Sequence, residues 1–223
     1  MNLKAKDLNS RITDLESIII KQNNKIKELE DKIKTLEEKN KEYEPMFEEY
    51  KSKEKKISML FYESNILNTE EKKLLLGWLP YKPKKITLLL DSNIDGDSCN
   101  TFIQKVQNKY PTLVIIKTTK GRKFGGYTTQ CWKSGETSDN DAFVFSFVTN
   151  KKYEIVEPQH AIGFSTWWGF GWYNNAIVIC DYCKSSNDNY VRNKTYKIKE
   201  EYELNGGEPN FTVKSFEVYF IEY

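Results

Sequence analysis

The chain has 223 residues, 14% of them aromatic, and its 34 basic and 32 acidic side chains nearly cancel. This suffices for one ordinary domain with an appendage, and it excludes both a disordered chain and a broadly basic nucleic-acid binder. No apolar run approaches a membrane span and the charged N-terminus has no signal-peptide core, so a soluble, intracellular protein is expected, cytoplasmic with the nucleus left open.

From Ala5 to Tyr43 the apolar positions alternate at spacings of four and three, the heptad signature of a coiled coil. Ala5, Ile12, Ile19, Ile26, Ile33 and Asn40 fall at a, and Leu8, Leu15, Gln22, Leu29, Leu36 and Tyr43 at d. Isoleucine at a with leucine at d favours a parallel two-stranded coil. Arg11 with Glu16, Lys25 with Glu30, Lys32 with Glu37 and Lys39 with Glu44 are opposite-sign pairs across such a dimer. Gln22 and Asn40 in the seam penalise shifted registers. The expected homodimer contact is therefore Ile12, Leu15, Ile19, Ile26, Leu29, Ile33, Leu36 and Asn40, over a coil roughly 60 Å long. Pro45 is expected to end it, leaving residues 1–45 as coiled coil, 46–56 as a charged linker, with a return to helix there left open, and 57–223 as the globular part.

Within the globular part, Asn68 with Glu71 predicts a capping box opening a helix that Pro80 stops. Ile86 to Leu90 reads as a buried strand, and Asp97 or Ser98 caps a second short helix carrying Phe102, Ile103 and Val106 on its inner side. Strands are then predicted at Leu113 to Thr118, Lys123 to Thr128, Ala142 to Val148, Tyr153 to Val156, Ala176 to Cys180 and Thr212 to Glu222. The first two form a hairpin turned at Lys120-Gly121. Gly125-Gly126 lies inside the returning strand, where a glycine pair marks a bulge or a place where something packs close to the backbone. The fold class is α+β: an antiparallel β-sandwich flanked by short helices, preceded by a long helix forming the parallel dimeric coiled coil.

The wording Lys117-x-x-x-Gly121-x-x-Phe124-Gly125-Gly126-Tyr127, followed by Cys131-Trp132 and the strand Ala142 to Phe147, resembles the TLDc domain family. The helix before Leu79-Pro80, the segment Ser92-x-x-x-Gly96-x-Ser98, the glycine- and aromatic-rich Gly163 to Tyr173 and the closing Phe216 to Tyr219 fall in the family's order. The resemblance covers roughly residues 57–223 and implies the same sandwich. It departs before the strand Ala176 to Cys180. There the family usually has an acidic residue after Gly-x-x-Phe-Gly, and here Trp172, Tyr173, Asn174 and Asn175 follow Gly171. A role tied to that acidic residue is not carried over.

Chemistry-bearing motifs are few. Asp91, Asn93 and Asp95 match the first half of a calcium loop, but its twelfth position is Phe102 rather than glutamate, so the turn is a weak calcium candidate and no metal or other cofactor is expected. Cys180 and Cys183 have zinc-knuckle spacing without a second pair, and a reversible disulfide is their minor alternative. Cys99 and Cys131 stand alone, and four scattered cysteines suit reduced thiols. The only histidine, His160, belongs to no recognisable triad. Trp167, Trp168, Phe170, Trp172 and Tyr173 crowd among glycines, and partial exposure would make them a partner-binding patch. Lys117, Lys120, Arg122 and Lys123 are the candidate nucleic-acid contacts, a solvated hairpin edge being the plainer explanation.

Members of the family are linked to protection against oxidative stress, and some bind the vacuolar proton pump and regulate its assembly. The resemblance therefore implies a non-enzymatic stress-response adaptor acting through protein contacts, with the vacuolar proton pump as a partner. A dimeric DNA-binding regulator of stress genes is the alternative, although the coil lacks the basic stretch of a zipper-type reader. An enzyme of unknown reaction comes third.

Overall fold

The structure, a computed structural model, describes residues 2–172, 176–192 and 196–223, and the side chains of all of these but 2–6, 57 and 58. It divides into two compact units, Met1–Lys55 and Lys56–Tyr223.

Helix α1 (Asn2–Leu60) is built from a glycine-free run rich in lysine, glutamate, leucine and isoleucine. Pairs one turn apart, such as Lys32 with Glu28 at 2.7 Å and Lys53 with Glu49 at 2.7 Å, brace its surface weakly. Contrary to expectation, Pro45 does not end the helix, which continues through it to Leu60. A proline removes one hydrogen bond, and the good helix formers on both sides carry the ladder past that gap. The expected seam residues Ile12, Leu15, Ile19, Ile26, Leu29, Ile33, Leu36 and Asn40 are all exposed on the single chain. Ala5 lies outside the described side chains.

In the second unit, α2 (Thr69–Trp78) opens on the expected capping box: Asn68 Oδ1 accepts the Glu71 amide and Glu71 Oε2 accepts the Asn68 amide, both at 2.9 Å. Ser98 caps α3 (Cys99–Val106), which buries Phe102 and Val106. Twelve strands among the described residues form two six-stranded antiparallel sheets. The first contains β1 (Lys85–Asp91), β2 (Thr112–Thr118), β3 (Lys123–Thr128), β5 (Phe143–Ser146), β6 (Lys151–Glu154) and β12 (Val213–Glu222), ordered β1-β12-β2-β3-β5-β6. The second contains β4 (Gly135–Thr137), β7 (Ile162–Ser165), β8 (Gly169–Trp172), β9 (Ile177–Ile179), β10 (Asn189–Val191) and β11 (Asn210–Phe211), ordered β11-β10-β9-β8-β7-β4. The α+β sandwich with short helices is as expected. Strands β4, β7, β8, β10 and β11 were not legible in the residue pattern.

The first sheet is buried on both faces, which is why β2 reads as an unbroken apolar run. Val114 and Ile116 point between the sheets, while Leu113 and Ile115 point outward against Phe61, Ile66, Leu67, Leu75 and Leu79. Glu217, buried on that outer face, accepts hydrogen bonds from Ser64 Oγ, the Asn65 amide and Tyr219 Oη, each at 2.7 Å, and so ties the chain before α2 to the sheet.

Between the sheets lies an aromatic core in which Phe102 stacks on Phe170 at 3.8 Å and Trp132 meets Trp172 edge-on at 5.6 Å. The glycine pair of β3 now has its reason. A Cβ on Gly126 would lie 2.2 Å from the Trp172 ring, and one on Gly125 would lie 2.0 Å from the Val114 carbonyl oxygen. Gly126→Ala should therefore cost about 3 kcal/mol, because the indole has no free volume into which to retreat. Urea unfolding that shows the variant as stable as the parent would refute this packing.

Candidate functional site

The stretch read as a glycine-rich loop is the β7–β8 hairpin. Phe164 pairs with Phe170 and Gly163 with Gly171 across it. Gly169, at φ 118°, has the Ile179 carbonyl oxygen 1.8 Å from where a Cβ would sit, so only glycine brings the tip this close to β9. Ser165 Oγ accepts the Trp167 amide at 3.1 Å and rigidifies the turn.

Strand alternation then sorts the rings. Phe170 and Trp172 share the inward face and are buried, and Trp172 Nε1 donates to the Tyr127 carbonyl at 3.2 Å. Their assignment to a partner-binding patch is corrected: they are core. Trp167 and Trp168, in the turn beyond the ladder, are 93% and 40% exposed. Tyr173 lies outside the described residues.

Two further loops share this end of the sandwich. Gly169 packs against the backbone of Ile179 and Cys180, where β9 runs out into the loop carrying the exposed Tyr182. In that loop Asp181 accepts the Cys99 amide at 2.7 Å, and the Lys184 amide donates to Asp97 at 2.8 Å. The turn after β1, which presents the exposed Ile94, is thereby fastened alongside. Ile94 and Tyr182 were missed, and their only signal in the residues is a large apolar side chain inside a polar turn.

The half calcium loop is a turn held by its own oxygens. Asp91 accepts the Asn93 amide, Asn93 Oδ1 accepts Lys184 Nζ, and Asp95 accepts the Asp91 amide and pairs with Lys105 at 2.5 Å. The Lys105 ammonium holds the Asp95 carboxyl below its ordinary range. Among the described residues no three His, Cys, Asp or Glu side chains are grouped to hold a metal ion.

All four cysteines are free thiols. Burial, reinforced by Asp181, pushes the Cys99 thiol up to about 12, and burial raises Cys180 and Cys183 as well. His160 pairs through Nδ1 with Glu136.

The basic hairpin is largely neutralised. Glu208 takes Lys120 at 2.7 Å and Arg122 at 3.0 Å, and Glu71 takes Lys123 at 2.7 Å. The Lys120 ammonium, joined by Arg122, lowers the Glu208 carboxyl below its usual range. Lys117 is half-buried on β2. Among the described residues no helix is long and apolar enough to cross a membrane.

The family model described as TLDc domain matches residues 60–222, which takes in every strand of the sandwich. The chain belongs to the TLDc domain family. Two similar proteins are both called MTOR-associated protein MEAK7. The Xenopus laevis protein is 30% identical over 79 residues, 35% of this chain and 17% of that protein. The Gallus gallus protein is 38% identical over 64 residues, 28% of this chain and 14% of that protein. The likeness thus covers about a sixth of those relatives' length.

Two measurements check the sorting of the TLDc side chains. Trp167→Ala should leave unfolding free energy within about 0.5 kcal/mol of the parent, whereas Trp172→Ala should cost about 3–5 kcal/mol. Iodoacetamide at pH 8 should modify Cys131 and Cys180 in the native protein and reach Cys99 and Cys183 only on unfolding. Equal labelling of all four, read by peptide mass spectrometry, would contradict the burial.

Proposed function

We propose that this protein is a non-enzymatic adaptor of the stress response that acts through protein contacts, two copies being joined through α1. The observation that carries this reading is the exposed Trp167-Trp168 tip on a braced hairpin, while Phe170 and Trp172 of the same stretch lie in the core. A largely solvent-facing tryptophan is the kind of residue that supplies most of the energy in a protein interface, and the backbone that presents it is already held by the turn. Joining two copies multiplies a modest contact into avidity.

Its finer form, as the family resemblance implies, is protection against oxidative stress, with the vacuolar proton pump as a partner that it regulates; the cytoplasm is the compartment read from the residue pattern. The relatives' name adds MTOR association as a further partner to test. The DNA-binding reading finds less support, because Lys120, Arg122 and Lys123 already face carboxylates.

The test is affinity purification from peroxide-stressed cells with the parent chain and with Trp167→Ala as baits, quantified by mass spectrometry. A true partner, vacuolar pump subunits among the named candidates, should fall by roughly thirtyfold in affinity for the variant, about 2 kcal/mol. Equal recovery by both baits would remove the tip from the interface.

A further inference from the structure

Because α1 does not stop at Pro45, the heptad runs on into the segment expected to be a linker. Continuing the frame, Phe47 falls at a and Tyr50 at d, and both are exposed on the single helix, at 57% and 51%. Pro45 itself falls at f, the position facing away from a partner. Its missing N–H would have served the carbonyl of Lys41, at b on the same outward side, where a carbonyl left unpaired can still be hydrated in a paired helix. The proline thus breaks the ladder on the one face that a paired helix leaves wet.

We infer that the seam between two copies of this chain passes Pro45 and ends after Tyr50, with Phe47 and Tyr50 packed against their own counterparts. The inference rests on the paired-helix reading above.

The flanking charges choose the occupant. Through residue 44 the e positions are Asn9, Glu16, Asn23, Glu30, Glu37 and Glu44, while the g positions from 11 to 39 are Arg11, Ile18, Lys25, Lys32 and Lys39. In a parallel pair each basic g meets an acidic or amide e of the other copy. In an antiparallel pair glutamates would face glutamates and lysines lysines. A second copy in register is therefore the partner that this surface fits. The far limit is equally readable: Lys51 at e faces the uncharged Met46 at g, so the opposite-sign pairing stops, and Glu54 occupies the next a, so pairing beyond Tyr50 would bury a carboxylate against its own copy.

The full-length chain tests this through single cysteines treated with a short bismaleimide, the unsubstituted chain giving the background and helical circular dichroism verifying each variant. Ile12→Cys, Phe47→Cys and Tyr50→Cys should each link to themselves. Their rates should exceed that of the outward-facing Ser52→Cys by about a hundredfold, because pairing holds the thiols at millimolar effective concentration. Self-linking at 12 without linking at 47 or 50 overturns the extended seam and leaves the dimer standing. No self-linking at 12 overturns the parallel dimer and the extension with it. Equal rates at 47, 50 and 52 overturn the extension as mere collision.

Discussion

The indole of Trp172 lying on the bare backbone of Gly126 is the contact on which the sandwich is arranged. It places the largest core side chain at the middle of both sheets, and a ring can lie so close to a strand only where no Cβ intervenes. Its Nε1 reaches the Tyr127 carbonyl, so the one polar atom brought inside is satisfied. Trp132 meets its edge, and Trp132 Nε1 in turn donates to Thr112 Oγ1 at 2.9 Å. Because Trp172 closes β8, this anchor also aims the other end of the hairpin: with 170 and 172 inward, the turn residues 167 and 168 are left outside.

The two units solve the burial problem differently. Among the described residues the sandwich hides most of its large apolar side chains by itself, on both faces of the first sheet and one face of the second. Helix α1 hides almost none, and its isoleucine and leucine stripe stands in water over most of its length. Propensity and surface ion pairs hold a single helix only marginally, and tertiary or quaternary packing of the apolar face supplies the rest.

How much was legible depended on where the deciding energy lay. The capping box at Asn68 and Glu71 is a local interaction between residues three apart, and it was read directly. The hairpin of β2 and β3 declared itself through β-branched residues and its turn. Strand β8 did not, since Gly169 and Gly171 have poor strand propensity. They are strand residues because the Ile179 and Ile177 carbonyl oxygens occupy the space of any side chain there. The tryptophan tip was half legible: five rings in seven positions announced that not all could be core, and only strand register said which were. The mispredicted stop at Pro45 has the same origin, for a local helix breaker is overruled when its neighbours on both sides favour the helix.

By itself the residue order determined the heptad frame, its charge pattern, the helix caps, the β2–β3 hairpin and the α+β class, all of which rest on interactions between near neighbours or on strict periodicity. Tertiary structure alone decided that Gly126 serves Trp172, that Glu217 fastens Ser64 and Asn65, that Glu208 and Glu71 neutralise the basic hairpin, and that Trp167 faces water. Gly126 and Trp172, Ser64 and Glu217, Lys120 and Glu208, and Glu71 and Lys123 lie 46, 153, 88 and 52 positions apart. At such separations no local propensity carries the information, and only the pairing of whole strands brings the groups together.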